Sequence, residues 1–208
     1  ACVEMGIKNL TLFAFSTENW YRPEGEVSML MDLMRYVMRT DIEDLHAQGV
    51  KLRIIGDRSR FAEDIHEMMD DCEALTRNNQ RLKLNVAVNY GGRWDIVEAS
   101  KALALRVQNG EIAADDINES MLHQHMSLGD LPEPDLLIRT GGDFRVSNFM
   151  LWDIAYTELY FTEAFWPEFD GGHLRSAVET FSARLRRFGR RASVSYTHLR
   201  AHETADNL

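Results

Sequence analysis

Arg139-Thr140-Gly141-Gly142-Asp143-Phe144-Arg145-Val146-Ser147-Asn148 gathers two guanidinium groups, two hydroxyls and a Gly-Gly turn in one short stretch. A doubly charged phosphate ester takes donors of this kind: bidentate guanidinium bonds, hydroxyls and free backbone N–H groups. The stretch follows Leu136-Leu137-Ile138, an apolar run that reads as a buried strand. Ligands of open α/β sheets bind past the carboxyl ends of strands, so the pattern predicts a grip for a phosphate or diphosphate. Diphosphate chemistry commonly uses Mg2+, held by one or two carboxylates together with ligand oxygens and water. Asp143 and Glu158 are the candidate metal ligands.

Other polar groups also fall just after predicted strands. Ser16, Asn19 and Arg22 are spaced by three ahead of Pro23, and they read equally well as ligand donors or as a helix cap and loop. Gly91-Gly92 permits close approach of a ligand, although a plain turn is the simpler reading of that pair alone. Asp70-Asp71 lies mid-helix and reads as a solvated face, and His123 and His125 point different ways from a short helix. The chain has no Walker, G-x-G-x-x-G, G-x-S-x-G or H-E-x-x-H motif.

Alternating strands and helices must position these groups. Strands are expected at Leu10 to Phe15, Leu52 to Ile55, Leu82 to Asn89, Asp135 to Arg139 and Glu158 to Phe161. Helices are expected from Pro23 to about His46, Arg60 to Arg77, Trp94 to Gln108, Glu119 to His125, Asn148 to Tyr156 and His173 to Phe188. The order implies right-handed crossovers and an α/β domain, a single parallel sheet covered by helices on both faces. The first long helix is apolar around much of its girth, through Met29, Leu30, Met31, Leu33, Met34, Tyr36, Val37 and Met38. Core packing accounts for that; a helix buried on more than one side could also line a cavity for an apolar ligand.

A formal charge of −10 argues against nucleic-acid binding. Two cysteines without metal spacing point to a reducing, cytoplasmic compartment, with contact at the inner face of the membrane left open. Residues 192–208 have neither helical nor strand period, and Val194 to Thr204 resembles a translated sequencing adapter. They are expected to be non-native, leaving one domain over residues 1–191.

Phe15-Ser16-Thr17-Glu18-Asn19-Trp20-Tyr21-Arg22-Pro23, Arg53-Ile54-Ile55-Gly56-Asp57, Asn89-Tyr90-Gly91-Gly92-Arg93-Trp94-Asp95 and the Arg139 to Phe149 stretch together resemble the cis-prenyltransferases, bacterial undecaprenyl diphosphate synthases among them. Leu151-Trp152, Glu158-Leu159-Tyr160-Phe161 and Phe165-Trp166-Pro167 continue the resemblance, which covers about residues 1–191. It implies successive cis additions of isopentenyl diphosphate to farnesyl diphosphate with Mg2+, giving the lipid carrier for cell-wall glycans, in a homodimer. It places isopentenyl diphosphate on Arg139, Arg145 and Ser147, and Mg2+ on Glu158. It places Ser16, Asn19, Trp20 and Arg22 near the reacting allyl group, with Asn19 assisting proton removal and Glu26 organising that loop. Ala14, Leu30, Leu33, Met34 and Leu82 would line a product tunnel, Leu82 limiting its length. The family commonly has Glu where this chain has Asp143. It also carries a strand and an Asp-Gly-Asn-Gly-Arg-Trp segment ahead of the residues seen here, so the chain as written is expected to be inactive. A shorter-chain synthase and a non-catalytic partner subunit of the same fold are the competing readings.

Overall fold

A computed structural model describes residues 1–184. The expected tail at 192–208, the domain boundary before it and the end of the last predicted helix lie outside the described residues. Within them the order is β1 (Asn9–Ser16), α1 (Glu24–Thr40), α2 (Ile42–Ala47), β2 (Val50–Ile55), α3 (Glu63–Thr76), β3 (Leu82–Tyr90), α4 (Gly92–Gln108), α5 (Glu119–Gln124), β4 (Leu136–Arg139), β5 (Glu158–Phe161) and α6 (Gly171–Ala183). Every strand pairing is parallel. The α/β class is as expected, but the strands form two sheets, ordered β1-β3-β2 and β4-β5.

The sequence of β3, Leu-Lys-Leu-Asn-Val-Ala-Val-Asn-Tyr, is nearly continuous in apolar character because the strand is covered on both faces. Leu82, Leu84 and Val88 join one core cluster with Ile65, Met69 and Cys72 of α3. Ala87 and Tyr90 join a second, with Leu128, Leu131 and Met150. The outer edge of β2 is protected by α3. The Leu52 N–H donates to the Thr76 hydroxyl (3.1 Å), and the Ile54 N–H donates to the Glu73 carboxylate (2.6 Å). Side chains thereby take up donors that an open edge would otherwise offer to another strand.

Two predicted helices differ from the observed chain. The helix expected from Pro23 to His46 is divided at Asp41. There the Thr40 hydroxyl donates back to the Tyr36 carbonyl (2.9 Å), a bond that competes with the helical ladder and bends it. The helix expected over 148–156 is a series of turns, because Ser147 (φ 55°) and Met150 (φ 45°) hold left-handed backbone that a right-handed helix cannot continue. The first long helix is also less enclosed than its composition implies. Val27, Leu30, Met31, Met34 and Met38 of α1 pack on the core, while Met29, Leu33 and Tyr36 face outward.

The turn from β2 into α3 depends on Gly56, whose φ is +117°. A Cβ there would lie 1.9 Å from the Val88 carbonyl oxygen. Gly56→Ala is therefore expected to destabilise the protein by at least ~2–3 kcal/mol, from backbone strain plus displacement of β3. Urea denaturation monitored by circular dichroism measures this.

Candidate functional site

The loops following β1, β3 and β4 meet. In the loop after β4, the Arg139 guanidinium donates to the Ser147 hydroxyl (2.9 Å) and to Asp143 Oδ2 (2.7 Å). Arg145 donates to the same Asp143 oxygen (2.8 Å). The two cations expected to grip a diphosphate are thus held together by a carboxylate between them. The Gly-Gly turn does not present free N–H groups, contrary to the expectation from sequence. The Gly141 N–H donates to the Ala164 carbonyl (2.9 Å) and the Gly142 N–H to the Thr162 carbonyl (3.0 Å), fastening the loop to the segment after β5. The loop offers an anion the two guanidinium groups and the Ser147 hydroxyl beside them.

After β1, residues Thr17–Tyr21 form one 3-10 turn. Asn19 closes it by accepting the Ser16 N–H (2.7 Å). Its carboxamide orients the loop; a carboxamide has no basic site with which to remove a proton. The Arg22 guanidinium pairs with Glu26 at the start of α1, tying this loop to the helix. Trp20 packs edge-on against Phe15 (5.0 Å between ring centroids), and the Arg60 guanidinium lies 4.3 Å over its ring. The Trp20 indole N–H donates to the Asn89 carboxamide oxygen (2.8 Å), and Asn89 donates to the Asp57 carbonyl (2.7 Å). Asn89, left-handed at φ 45° and buried, thereby joins the ends of β2 and β3 to the loop after β1.

Asn148 makes the corresponding join to the loop after β4. Its carboxamide donates to Glu18 (2.7 Å) and accepts the Arg93 N–H (2.9 Å), while its backbone carbonyl accepts the Gly92 N–H (2.8 Å). Sequence reading assigned no role to Glu18, Asn89 or Asn148. For Asn89 the available signal was an Asn at a strand end, where this residue tolerates left-handed backbone; nothing local marked Glu18 or Asn148, whose bonds are long-range.

The other predicted site residues are spread more widely. Leu30, Met34 and Leu82 belong to one apolar cluster. Leu33 is 55 % exposed and Ala14 is also exposed, so neither lines an enclosed space. Glu158 opens β5, as the expected strand from Glu158 to Phe161 has it; it lies opposite Leu136, and Arg139 pairs with Phe161 at the other end. Along the strand that separates Glu158 from the diphosphate-type loop by roughly 10 Å. Its Oε2 accepts a bond from Arg184 (3.0 Å). Among the described residues, no group of three or more His, Cys, Asp or Glu side chains is placed to hold a metal ion. A cavity of about 260 Å3 lined by Lys51, Arg53, Lys83, Asn85 and Asp130 lies toward the start of β2 and β3, away from these loops.

Behind the loops lies a buried acidic cluster that sequence reading did not anticipate. Tyr90 donates to Asp95 Oδ2 (2.8 Å), while the Ser127 N–H and hydroxyl donate to Asp95 Oδ1 (2.9 and 2.8 Å). Burial, followed by the Asp95 charge, pushes the Tyr90 hydroxyl well above its usual range. Asp153 is 3 % exposed, and burial pushes its carboxyl up to about 6, with His123 opposing and Asp95 and Glu133 adding to the shift. His123 Nδ1 is 3.5 Å from Asp153 Oδ1, and Asp153 Oδ2 has no hydrogen-bond partner among the described residues. The folded state binds this proton more tightly than the unfolded state, so its stabilising contribution is complete below the ordinary carboxyl value. It is lost as pH rises toward about 6, above which the ionised group costs up to ~3 kcal/mol. Asp153→Asn is expected to stabilise the fold at about pH 8 and to be nearly neutral at about pH 4, as read by urea denaturation across that interval.

Comparison with known proteins places this geometry in context. The family model described as "Putative undecaprenyl diphosphate synthase" matches residues 1–189. Ditrans,polycis-undecaprenyl-diphosphate synthase ((2E,6E)-farnesyl-diphosphate specific) from Vibrio parahaemolyticus is 53% identical over 189 residues, covering 91% of this chain and 75% of that protein. The enzyme of the same name from Pseudomonas aeruginosa is 52% identical with the same coverage. Lavandulyl diphosphate synthase from Lavandula x intermedia, crystallised with dimethylallyl diphosphate, superposes with a TM-score of 0.87 at 38% identity, over 90% of this chain and 81% of that one. A "probable undecaprenyl diphosphate synthase" from Campylobacter jejuni gives 0.81 at 35% identity, over 91% and 86%. A family match over nearly the whole described chain, relatives at half identity and the same fold in solved structures agree: the chain belongs to the cis-prenyltransferase family.

Proposed function

We propose that the protein condenses isopentenyl diphosphate units in cis onto farnesyl diphosphate to give undecaprenyl diphosphate, the lipid carrier for cell-wall glycan synthesis. The observation that carries this reading is the loop after β4, where Arg139 and Arg145 share Asp143 Oδ2 and Arg139 also donates to the Ser147 hydroxyl. Relatives at about half identity that carry this activity in their names support the choice of substrates and product.

Each condensation breaks the allylic C–O bond of the growing chain and forms a C–C bond to the isopentenyl double bond. The condensed intermediate then passes a proton to the departing diphosphate, which leaves with it, and Asn19, having no basic site, assists by holding its loop. Arg139 and Arg145 hold the isopentenyl diphosphate by charge-assisted bonds, and Ser147 adds a hydroxyl donor. The turn holding Ser16, Asn19, Trp20 and Arg22 orients the allylic partner, and the aromatic packing of Trp20 with Phe15 and Phe61 excludes water beside it. Leu30, Met34 and Leu82 supply apolar surface for the lengthening chain.

The acids present suit Mg2+ singly and not as a pair, since Glu158 opens β5 roughly 10 Å along the strand from the loop that holds Asp143. Both guanidinium groups bond Asp143 Oδ2 and leave Oδ1 without a hydrogen-bond partner among the described residues, and Glu158 likewise keeps Oε1 unbonded. Hard carboxylate oxygens of this kind suit a small cation that retains diphosphate oxygens in its shell. Bound there, Mg2+ would supply positive charge against the departing diphosphate. Cytoplasmic residence, a homodimer and peripheral membrane contact for product release complete the proposal; no helix among the described residues is long and apolar enough to cross a membrane.

Calorimetric titration with isopentenyl diphosphate tests the grip. Arg139→Ala is expected to weaken binding about ten- to a hundredfold, as loss of a charged hydrogen-bonding partner does. Arg145→Ala should cost less, because its side chain is 68% exposed against 27% for Arg139. Absence of binding by the unsubstituted protein would sink the reading. With farnesyl diphosphate and Mg2+ added, any turnover overturns the expected inactivity of the chain as written, and chromatography of the product separates undecaprenyl length from a shorter chain.

A further inference from the structure

Asn148 occupies the contact between the diphosphate-type loop and the loop after β1. Three of its polar groups are used. The backbone carbonyl and the carboxamide oxygen accept the Gly92 and Arg93 N–H groups, two of the first-turn donors of α4 that no helical carbonyl can satisfy. The carboxamide nitrogen donates to Glu18 across 130 residues of sequence. The fit leaves no spare room, since a Cβ on Gly91 would lie 2.5 Å from Asn148 Nδ2 and 2.9 Å from the Thr17 hydroxyl. On one side of Asn148 is Ser147, bonded to Arg139. On the other is Phe149, stacked on Phe13 of β1 at 4.6 Å.

The orientation of the carboxamide is determined by its neighbours. A backbone N–H can only donate, so the oxygen must face Arg93, and the nitrogen must then face Glu18. Burial pushes the Glu18 carboxyl up, but hydrogen bonds from Asn148, its own backbone, Thr17 and Ser16 outweigh that and hold it below the usual carboxylate range. Glu18 lies within the Thr17–Tyr21 turn, beside Asn19 and Trp20. A displacement of the loop after β4 at Ser147 therefore has a direct route, through Asn148 and Glu18, to the turn that carries the allyl-side residues.

We propose that Asn148 is a positioning residue that couples the two halves of the site, so that occupation of the Arg139–Arg145–Ser147 grip by a diphosphate stiffens the Thr17–Tyr21 turn through the Asn148–Glu18 hydrogen bond. The ligand side of this coupling rests on the proposed function; the mechanical side does not.

Hydrogen exchange of the Ser16 and Arg22 amides, which bond to Asn19, reads the turn directly without catalysis. Asn148→Asp keeps the acceptor for Arg93 but sets a carboxylate against Glu18, and is expected to speed exchange at both amides roughly tenfold. Glu18→Gln alone should leave exchange unchanged, because a carboxamide oxygen still accepts from Asn148. In the Asn148→Asp, Glu18→Gln double variant the new carboxamide nitrogen donates to the new carboxylate, so exchange should return to within about twofold of the original. Isopentenyl diphosphate should slow exchange in the original protein and in the double variant, but not in Asn148→Asp. Glu18→Ala breaks the same bond from the other end and gives the same reading where Asn148→Asp folds poorly. Unchanged exchange in Asn148→Asp or Glu18→Ala, or failure of the double variant to recover, overturns the proposal. Recovery without any effect of isopentenyl diphosphate, while calorimetry shows that it binds, overturns the coupling. Recovery with no binding at all leaves the mechanical link standing and removes the functional reading instead.

Discussion

The immobility of β3 is the constraint on which the candidate site depends. This strand pairs on both sides, with β1 from Asn9↔Lys83 onward and with β2 from Val50↔Leu82 to Ile55↔Ala87. Its side chains enter separate core clusters above and below. Rotating or sliding it would open both clusters at once. Its last residues then act as a fixed post: Asn89 takes the Trp20 indole and the Asp57 carbonyl, and Tyr90 is anchored beneath by Asp95. Two loops of irregular backbone, after β1 and after β2, are held to this post by Asn89, and Asn148 ties the loop after β4 to the first of them, which is how a site built from loops acquires definite geometry.

Much of the architecture was legible because its signals are local. The five strands announce themselves through short apolar runs, and the α/β order follows from their alternation with amphipathic segments. The cationic loop after β4 could be read from residue types alone. Long-range partners could not. Nothing in the composition of Arg139 to Asn148 says that the Gly141 and Gly142 N–H groups face carbonyls beyond β5, or that Asn148 reaches Glu18. The helix expected over 148–156 failed for a related reason: its apolar content came from packing against Phe13 and Tyr90, not from helical periodicity. Glu158 could be read as the first residue of a strand, but only the β4–β5 register shows that this sets it at the end opposite Arg139.

The electrostatics of this acidic chain are organised in small closed groups. Arg35 pairs with Asp64, holding that carboxyl below its ordinary range, and Arg58 bridges Asp70 and Glu73. Arg35, Arg58 and Glu73 are each partly buried, and Glu73 also accepts the Ile54 N–H at the edge of β2. The buried acids differ in kind. Asp95 is satisfied by three donors, whereas Asp153 is left partly unsatisfied close to it. The interior behind the site therefore carries a local destabilisation that the surrounding packing must offset, in keeping with a general tendency for strain to gather near functional loops.

The carboxylate of Asp143 between Arg139 and Arg145 is a resident competitor. Any incoming anion has to exchange with it and does not simply fill an attractive vacancy. A singly charged carboxylate from solution offers the two guanidinium groups nothing that Asp143 does not already offer, and it also loses translational freedom on binding. A diphosphate brings more charge and several more acceptor oxygens, enough to reward both cations at once. With Asp143 shared by both guanidinium groups, the arrangement favours anions of higher valence over single carboxylates, without any steric gate.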